Sequence, residues 1–333
     1  MYFLRSGRDS ASLQLQKKIE NFLSKNNLQY EKGADFDNIH RINPRHILII
    51  GSDSMILSAF NELGPKQIPL LGISTGASVL SEANSGNYKS IIKNIEKGEY
   101  TVQERTRLVA HYNSSTTPFA LNEIGIFPKR SAELVRYTLS IDNEHIFKDT
   151  ADGVIVSTPT GSTGYAVSAG GPMVIDEPAI FTITPISSMH RSYPPLVVPN
   201  ASSIRISGIQ SKSSVCAIVD GMDRITLDCD SISIVKSGYP ALFIIPKYTQ
   251  SIVDKLKKRS LKANHDRIKF IPPSAKLIYK VLTYEGEMTQ KEIIRETYLP
   301  PRTVRYALDL LSKNNIIKRS PNLNDIRQTV YSV

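Results

Sequence analysis

Apolar positions along the chain change their period more than once. Between Leu13 and Asn26 they recur at helical spacing, and His46 to Ile50 is a strand-length apolar run. Ser54 to Leu63 is helical again, Ile68 to Ile73 is a second apolar run, and Tyr88 to Lys97 is an amphipathic helix. Strands alternating with helices predict a parallel α/β sheet, since parallel neighbours need a crossover and bury both faces. From about Thr101 the segments become short and β-rich: ERTRLVAHYN, LVRYTLSID, SIRISGI, SVCAIVDG, SISIVKSG and ALFIIP, separated by turn residues. That pattern predicts an antiparallel β domain. TITPISSMHRSYPPLVVP (182–199) reads as a loop leading into a strand, and KFIPPSAK marks a change of composition. The expected division is an α/β domain over 1–100, a β-rich domain over 101–250, a basic linker over 251–272 and a small domain over 273–333.

In the last segment Leu277, Ile278, Val281 and Leu282 give a helix an apolar face that ends near Gly286. Thr289, with Glu292 three residues on, is a capping box that starts a second helix. Leu299-Pro300-Pro301 forces a turn, because a residue before proline avoids helical angles and proline suits a first helical turn. A third helix buries Val304, Ala307, Leu308 and Leu311 and presents Arg302, Thr303, Arg305 and Tyr306. Ile316–Arg319 and Thr329–Val333 are expected to pair as a hairpin. This order resembles the winged helix-turn-helix of bacterial and archaeal regulators over about sixty residues. The resemblance implies double-stranded DNA as a partner, with the third helix in the major groove. Arg302, Thr303, Arg305 and Tyr306 would meet bases or phosphates, and Arg327 on the hairpin would add a contact. A three-helix protein-interaction module is the alternative.

Charge sharpens the division. The net charge is +10, yet residues 251–333 hold 17 Lys and Arg against 8 Asp and Glu, leaving the first 250 with 24 against 23. A nearly neutral body with a basic tail fits a polyanion partner for the tail. No apolar run approaches the ~20 residues of a membrane span, so no membrane partner is expected. The start MYFLRSGRDS lacks the pattern of a signal peptide. Cys216 and Cys229 carry no metal-ligand spacing, and no metal ligands are expected in the protein. A cytoplasmic location follows from that cysteine usage.

The most informative stretch is ADGVIVSTPTGSTGYAVSAGGPMV, Ala151 to Val174. Small residues let backbone approach a ligand, while hydroxyls and amides can donate to ribose and phosphate oxygens. Tyr165 offers a flat face to a heterocycle. This stretch resembles the NAD kinase family, whose pattern DG-x-IVSTPTGSTAY-x-SAGGP it matches with Gly164 in place of alanine. LNEIGI (121–126), KGEYTVQERTRLVA and the VDG that ends at Asp220-Gly221 resemble further family landmarks, and the likeness spans about residues 40 to 250. It implies a fold of α/β plus all-β domains binding NAD or NADP between them, often across subunits of a homodimer or homotetramer. Asn122, Ser157, Thr163 and Tyr165 would then hold the adenosine portion. Glu123, Asp152 and Ser168 would serve ribose or nicotinamide contacts, and Thr158 and Gly164 complete the cofactor-binding set.

The phosphate-transfer side departs from the family. Its diphosphate turn Gly-Gly-Asp-Gly-Thr is replaced by Gly51-Ser52-Asp53-Ser54-Met55, where serine Cβ atoms stand at points that glycine leaves open. Gly72-Ile-Ser-Thr-Gly76 stands for Gly-x-Asn-x-Gly. SSMHRSYPPLVVP places Met189 at a usual histidine and Pro194 at a usual arginine, with His190 one residue out of register. Phosphoryl transfer is mostly positioning and charge neutralisation, and these changes weaken both. The expectation is a DNA-binding transcriptional regulator whose body senses NAD(P)(H), oxidised or reduced. The alternative is an active NAD kinase using ATP or polyphosphate and Mg²⁺, with Asp53 as its catalytic residue. A scaffold for another adenine nucleotide is a third reading.

Overall fold

The computed structural model describes residues 1–76, 78–175, 177–189, 193–247, 271–314, 316–322 and 325–332. The side chains of residues 280, 283–285, 322 and 325–328 lie outside that description. His190, the Arg327 side chain and most of the expected basic linker therefore lie outside the described residues. Two compact units emerge, Met1–Ser251 and Ile252–Val333.

The first unit opens on a sheet ordered Tyr30–Lys32, Tyr2–Ser6, His46–Ile50, Leu70–Ser74, Ala241–Pro246 and Tyr100–Arg105, with Ala83–Asn84 beside Leu70–Ser74. The helices Ser10–Lys25 and Tyr88–Glu96 cover one face and Asp53–Leu63 the other. Asp9 caps Ser10–Lys25 by accepting from Ser12 N at 2.9 Å, which starts the helix three residues before the first apolar position in the sequence pattern. Two strands differ from the sequence reading. ALFIIP and Tyr100–Arg105 join the α/β sheet rather than the β domain, pairing antiparallel from Ala241↔Arg105 to Pro246↔Tyr100. Phe243 and Ile244 are both fully buried, so this strand is covered on two faces like a parallel-sheet strand.

Between those two strands the chain builds a β-sandwich. One sheet includes Leu108–Tyr112, Val135–Ile141, Glu144–Ala151, Ile204–Gln210 and Ser231–Lys236. The other is ordered Leu196–Pro199, Ile180–Ile186, Gly153–Ser157, Glu123–Pro128, Val215–Val219, Asp223–Leu227. Ile124, Ile126, Val154, Val156, Phe181 and Ala217 face the sandwich core. Strand alternation then puts Glu123, Gly125, Phe127, Ile155 and Ser157 on the opposite face.

Arg107 ties the two parts of this unit together. Its fully buried guanidinium donates to the carbonyls of Phe60, Gly64 and Tyr239 at 3.0, 2.8 and 2.6 Å and lies over the Phe119 ring. A cation at the C-terminus of Asp53–Leu63 satisfies orphan carbonyls and complements the helix dipole. Burial pulls its pKa down to about 10.

The second unit contains the helices Pro273–Glu285, Gln290–Thr297 and Pro301–Lys313 and a sheet of Met288–Thr289, Lys318–Asn322 and Asp325–Ser332. The capping box forms: Thr289 Oγ accepts from Glu292 N, and Glu292 Oε2 accepts from Thr289 N at 2.7 Å. Val304, Ala307, Leu308 and Leu311 are buried against Ala275, Ile278, Leu282 and Ile293. Leu277, expected on the apolar face, is 41% exposed instead. The hairpin starts at Lys318 rather than Ile316, because Ile316 and Ile317 are drawn into the core. No described helix is long and apolar enough to cross a membrane.

Candidate functional site

The phosphate turn lies where the strand His46–Ile50 meets the helix Asp53–Leu63. Gly51 has φ +148°, a conformation L side chains rarely adopt, so the surviving glycine holds the bend. Ser52 has φ −86° and is unstrained, so its presence changes the chemistry of the turn and not its path. The Ser52 and Ser54 hydroxyls bond each other at 2.7 Å.

Asp53 turns toward the neighbouring loop. Its carboxylate accepts from Val79 N at 3.1 Å, from Leu80 N at 3.2 Å and from the Ser78 hydroxyl. Two of the three donor residues are buried, Ser78 at 6% and Leu80 at 4% exposed, and Val79 is half-buried. The aspartate thus fastens the loop that follows Gly72–Gly76. Within that segment Ser74 donates to Ala83 O at 3.4 Å. Among the described residues no group of three or more His, Cys, Asp or Glu is placed to hold a metal ion.

The Gly/Ser/Thr stretch begins with the strand Gly153–Ser157 and turns over the Asn-Glu segment. Three backbone N–H groups, of Leu121, Asn122 and Glu123, donate to the buried carboxylate of Asp220 at 2.9, 2.7 and 3.1 Å. Burial, against those donors, raises the Asp220 pKa to about 6. Thr158 donates its hydroxyl to Leu121 O at 2.6 Å, and its N–H goes to Asn122 O at 2.9 Å. Gly161 N donates back to Thr158 Oγ1 at 3.0 Å. A Cβ at Gly161 would stand 2.0 Å from Asn122 O, so only glycine fits against that carbonyl. This is a clasp between residues forty and a hundred positions apart.

The named residues divide accordingly. Ser157 and Thr158 are fully buried; Ser157 donates to Thr158 O at 3.0 Å, and both hydroxyls serve the clasp. Thr163 donates to Thr160 O at 3.4 Å. Asn122 is half-buried, while Asp152 and Ser168 are exposed. A Cβ at Gly164 would lie 3.2 Å from Glu123 Oε2, a crowding that glycine avoids.

Glu123 and Tyr165 line a cavity of about 340 Å³ on the outer sheet face. Its floor is Gly125, in register with Ile155 on one side and Ile218 on the other. Phe127 leans across this floor, and a Cβ at Gly125 would stand 2.4 Å from its ring. Tyr165 stacks on Phe127 with centroids 5.9 Å apart and planes 15° from parallel. Burial, then the charges of Asp152 and Glu123, raise the Tyr165 phenol pKa. Phe127, Arg224 and Asp220 were not singled out in sequence as site residues. The VDG motif is the one sequence signal at Asp220, whose hydrogen-bond partners lie almost a hundred residues away.

On the second unit Arg302, Arg305 and Tyr306 are exposed on the third helix, Tyr306 to 62%, and Thr303 is half-buried. They form one outward surface over the buried Val304–Leu311 face.

Comparison with known proteins agrees with this architecture. The family model described as ATP-NAD kinase N-terminal domain matches residues 5–100, and ATP-NAD kinase C-terminal domain matches 121–246. A winged helix-turn-helix DNA-binding model matches 273–318. The chain is 33% identical to the NAD kinase of Methanothermobacter thermautotrophicus over 235 residues, covering 70% of this chain and 82% of that one. It is 36% identical to the NAD kinase of Carboxydothermus hydrogenoformans over 229 residues, 66% and 81% of the two chains. An Archaeoglobus fulgidus NAD kinase solved in complex with ATP superposes with a TM-score of 0.67 at 27% identity, over 77% of this chain and 98% of that one. A yeast NADH kinase complexed with NADH shares the fold at 22% identity and the same TM-score. Both halves of the body and the carboxy-terminal domain are thus accounted for: this chain belongs to the NAD kinase family and carries a winged helix-turn-helix domain.

Proposed function

We propose that the chain is a DNA-binding transcriptional regulator whose body binds a pyridine dinucleotide, with phosphoryl transfer lost or weak. The observation that carries this reading is Asp53. Its carboxylate is held to the neighbouring loop by two backbone N–H groups and a hydroxyl, mostly through Oδ1, so a ribose hydroxyl or Mg²⁺ would have to compete with a structural role for it. The clasp and the aromatic cavity, by contrast, leave a shaped place for a ring and a ribose, with Tyr165 as the flat face and Glu123 as the hydroxyl acceptor. Asn122, Asp152, Thr163, Gly164 and Ser168 would complete that site, with Ser157 and Thr158 holding its frame.

Arg302, Arg305, Thr303 and Tyr306 would contact double-stranded DNA from the third helix. A dinucleotide alters DNA affinity only if it binds two arrangements of the protein unequally. Paired half-sites make a homodimer or homotetramer the matching assembly, and a cytoplasmic setting supplies both ligands. The test is a mobility shift of a duplex selected by the full chain from a random pool, with NAD, NADH, NADP or NADPH at saturation. A change in affinity with at least one dinucleotide is expected; unchanged affinity with all four removes the sensing role.

A second reading, an active NAD kinase, has the retained Gly51 bend and Asp53 in its favour. ATP or polyphosphate with Mg²⁺ would then supply the phosphoryl group and neutralise its charge. NADP formation that Asp53→Asn abolishes would favour the kinase over the regulator.

A further inference from the structure

The turn between the second and third helices of the carboxy-terminal unit holds a residue that its own fold does not favour. Tyr298 closes the helix Gln290–Thr297 in the left-handed conformation, with φ +53°, and its N–H donates to Ile294 O at 3.0 Å. Glycine or asparagine suits such a helix end, because a bulky side chain is strained there. Among the described residues the other non-glycine positions of positive φ are all Asn, Asp, Ala or Ser. Packing does not offset the strain. Tyr298 is 92% exposed, more than any other large hydrophobic residue described.

The backbone on either side is fixed. Leu299 packs on the core, and its N–H donates to Thr297 Oγ1 at 3.4 Å. Pro300 and Pro301 then set the first turn of the third helix. Arg302, Arg305 and Tyr306 are exposed on that helix, and the segment that holds them carries most of the net positive charge of the chain.

A local rule broken at no gain to packing marks a residue whose role lies outside the folded chain. We propose that Tyr298 is a DNA-contact residue, its hydroxyl donating to a phosphate of double-stranded DNA and its ring lying against the adjoining sugar. The proposal rests on the DNA-binding reading and adds to it a residue and a mode of contact. In a helix-turn-helix the N-terminal residues of the third helix reach base edges, so a residue just before that helix meets the backbone wall of the groove. A neutral phenol there adds affinity without releasing a counterion and without reading sequence.

Mobility shifts of the full chain test this with wild type, Tyr298→Phe and Tyr298→Asn across a salt series. Each is run against the duplex selected from a random pool and against one of scrambled sequence. Asparagine accepts the left-handed conformation, so no unfolding transition of Tyr298→Asn should fall below that of wild type. Its DNA affinity should nevertheless drop about tenfold, and that of Tyr298→Phe about fivefold, from the lost hydrogen bond to phosphate. The loss should be equal on the two duplexes, with the salt slope of wild type retained, unlike the loss of an arginine.

A Tyr298→Asn chain that melts lower than wild type assigns the tyrosine to the fold and overturns the proposal. Unchanged affinity of that variant also overturns it and leaves the DNA-binding reading standing. A loss confined to the selected duplex, or a reduced salt slope, overturns the neutral backbone contact. Wild type that shifts neither duplex removes the DNA-binding reading and this contact together.

Discussion

Replacing Asp53 separates a structural carboxylate from a catalytic one. In Asp53→Ala the N–H groups of Val79 and Leu80 and the Ser78 hydroxyl lose their acceptor in a loop where Ser78, Leu80 and Ser81 are each below 9% exposed. Water reaches these donors poorly, so most of the desolvation penalty stays. A hydrogen bond to a charged group contributes about 1.5–3 kcal/mol, and a buried donor left unmade costs about 1–3 kcal/mol. These overlap and do not add, so a loss of about 2–4 kcal/mol is expected. For a body of this size that is a fall in melting temperature of roughly 5–15 °C. Asp53→Asn should lose about half as much, because the amide oxygen still accepts while its NH₂ faces a donor. The chain has no tryptophan, so the melt is followed by circular dichroism in the far UV and in the tyrosine band. NADP formation is measured on the same samples. An alanine variant that melts like wild type but has lost measurable NADP synthesis would refute the structural role.

Three further outcomes follow from the geometry. Gly161→Ala, whose Cβ would fall 2.0 Å from Asn122 O, should displace the clasp, destabilise the body by roughly 3 kcal/mol or more and abolish dinucleotide binding; normal calorimetric binding by this variant would contradict it. His46, buried and bonded to Tyr100 at 2.9 Å, has its pKa lowered to about 4 by burial, then by Arg45, with Glu96 opposing. Its neutral form is therefore favoured in the folded state, and the stability it gives is complete above about pH 6.5 and lost as pH falls toward 4. The loss is about 3 kcal/mol at one unit per 1.36 kcal/mol, and His46→Phe should flatten it in urea melts at stepped pH. Asp220, raised to about 6, titrates with the opposite sign below that value, so the readout is the difference between wild type and variant. Arg302→Ala and Arg305→Ala should each weaken DNA binding by about tenfold and reduce the salt slope by about one per lost phosphate contact. Unaltered mobility shifts in both would remove the third helix from the interface.

Legibility in the sequence followed the range of the interactions. The Thr289 and Glu292 capping box and the buried stripe from Val304 to Leu311 were readable because their partners lie within a helical turn or two. Leu277 misled because a stripe of 277, 278, 281 and 282 is wide enough to include an edge position, and packing put Ala275, Ile278 and Leu282 inside. The α/β order was readable from alternating periods, whereas the return of Ala241–Pro246 to that sheet was not. A short apolar strand does not say which sheet it joins. Asp220 gathers N–H groups almost a hundred residues away, and the cavity needs Phe127, Tyr165 and Arg224 from three separate segments. No local pattern encodes such meetings.

The two sides of the body differ in what holds them, and that difference bears on the proposed loss of phosphoryl transfer with retention of dinucleotide binding. The clasp is made of backbone groups and fully buried hydroxyls: Asp220 on three N–H donors, Thr158 on Leu121, Gly161 pressed against Asn122. A change in any of them leaves a desolvated donor or a steric overlap, so the ligand-facing geometry is tied to folding itself. The phosphate turn is different. Its bend needs Gly51, but Ser52 sits at ordinary angles and Ser54 is exposed, so neither serine costs stability. Asp53 persists under a structural demand from Val79 and Leu80 that does not involve a phosphate. Exposed turn positions can therefore change without cost to the fold, while the clasp residues cannot. Under the proposed reading, a chain with that asymmetry would keep binding a dinucleotide after losing turnover, which is the property a ligand-controlled DNA-binding protein requires.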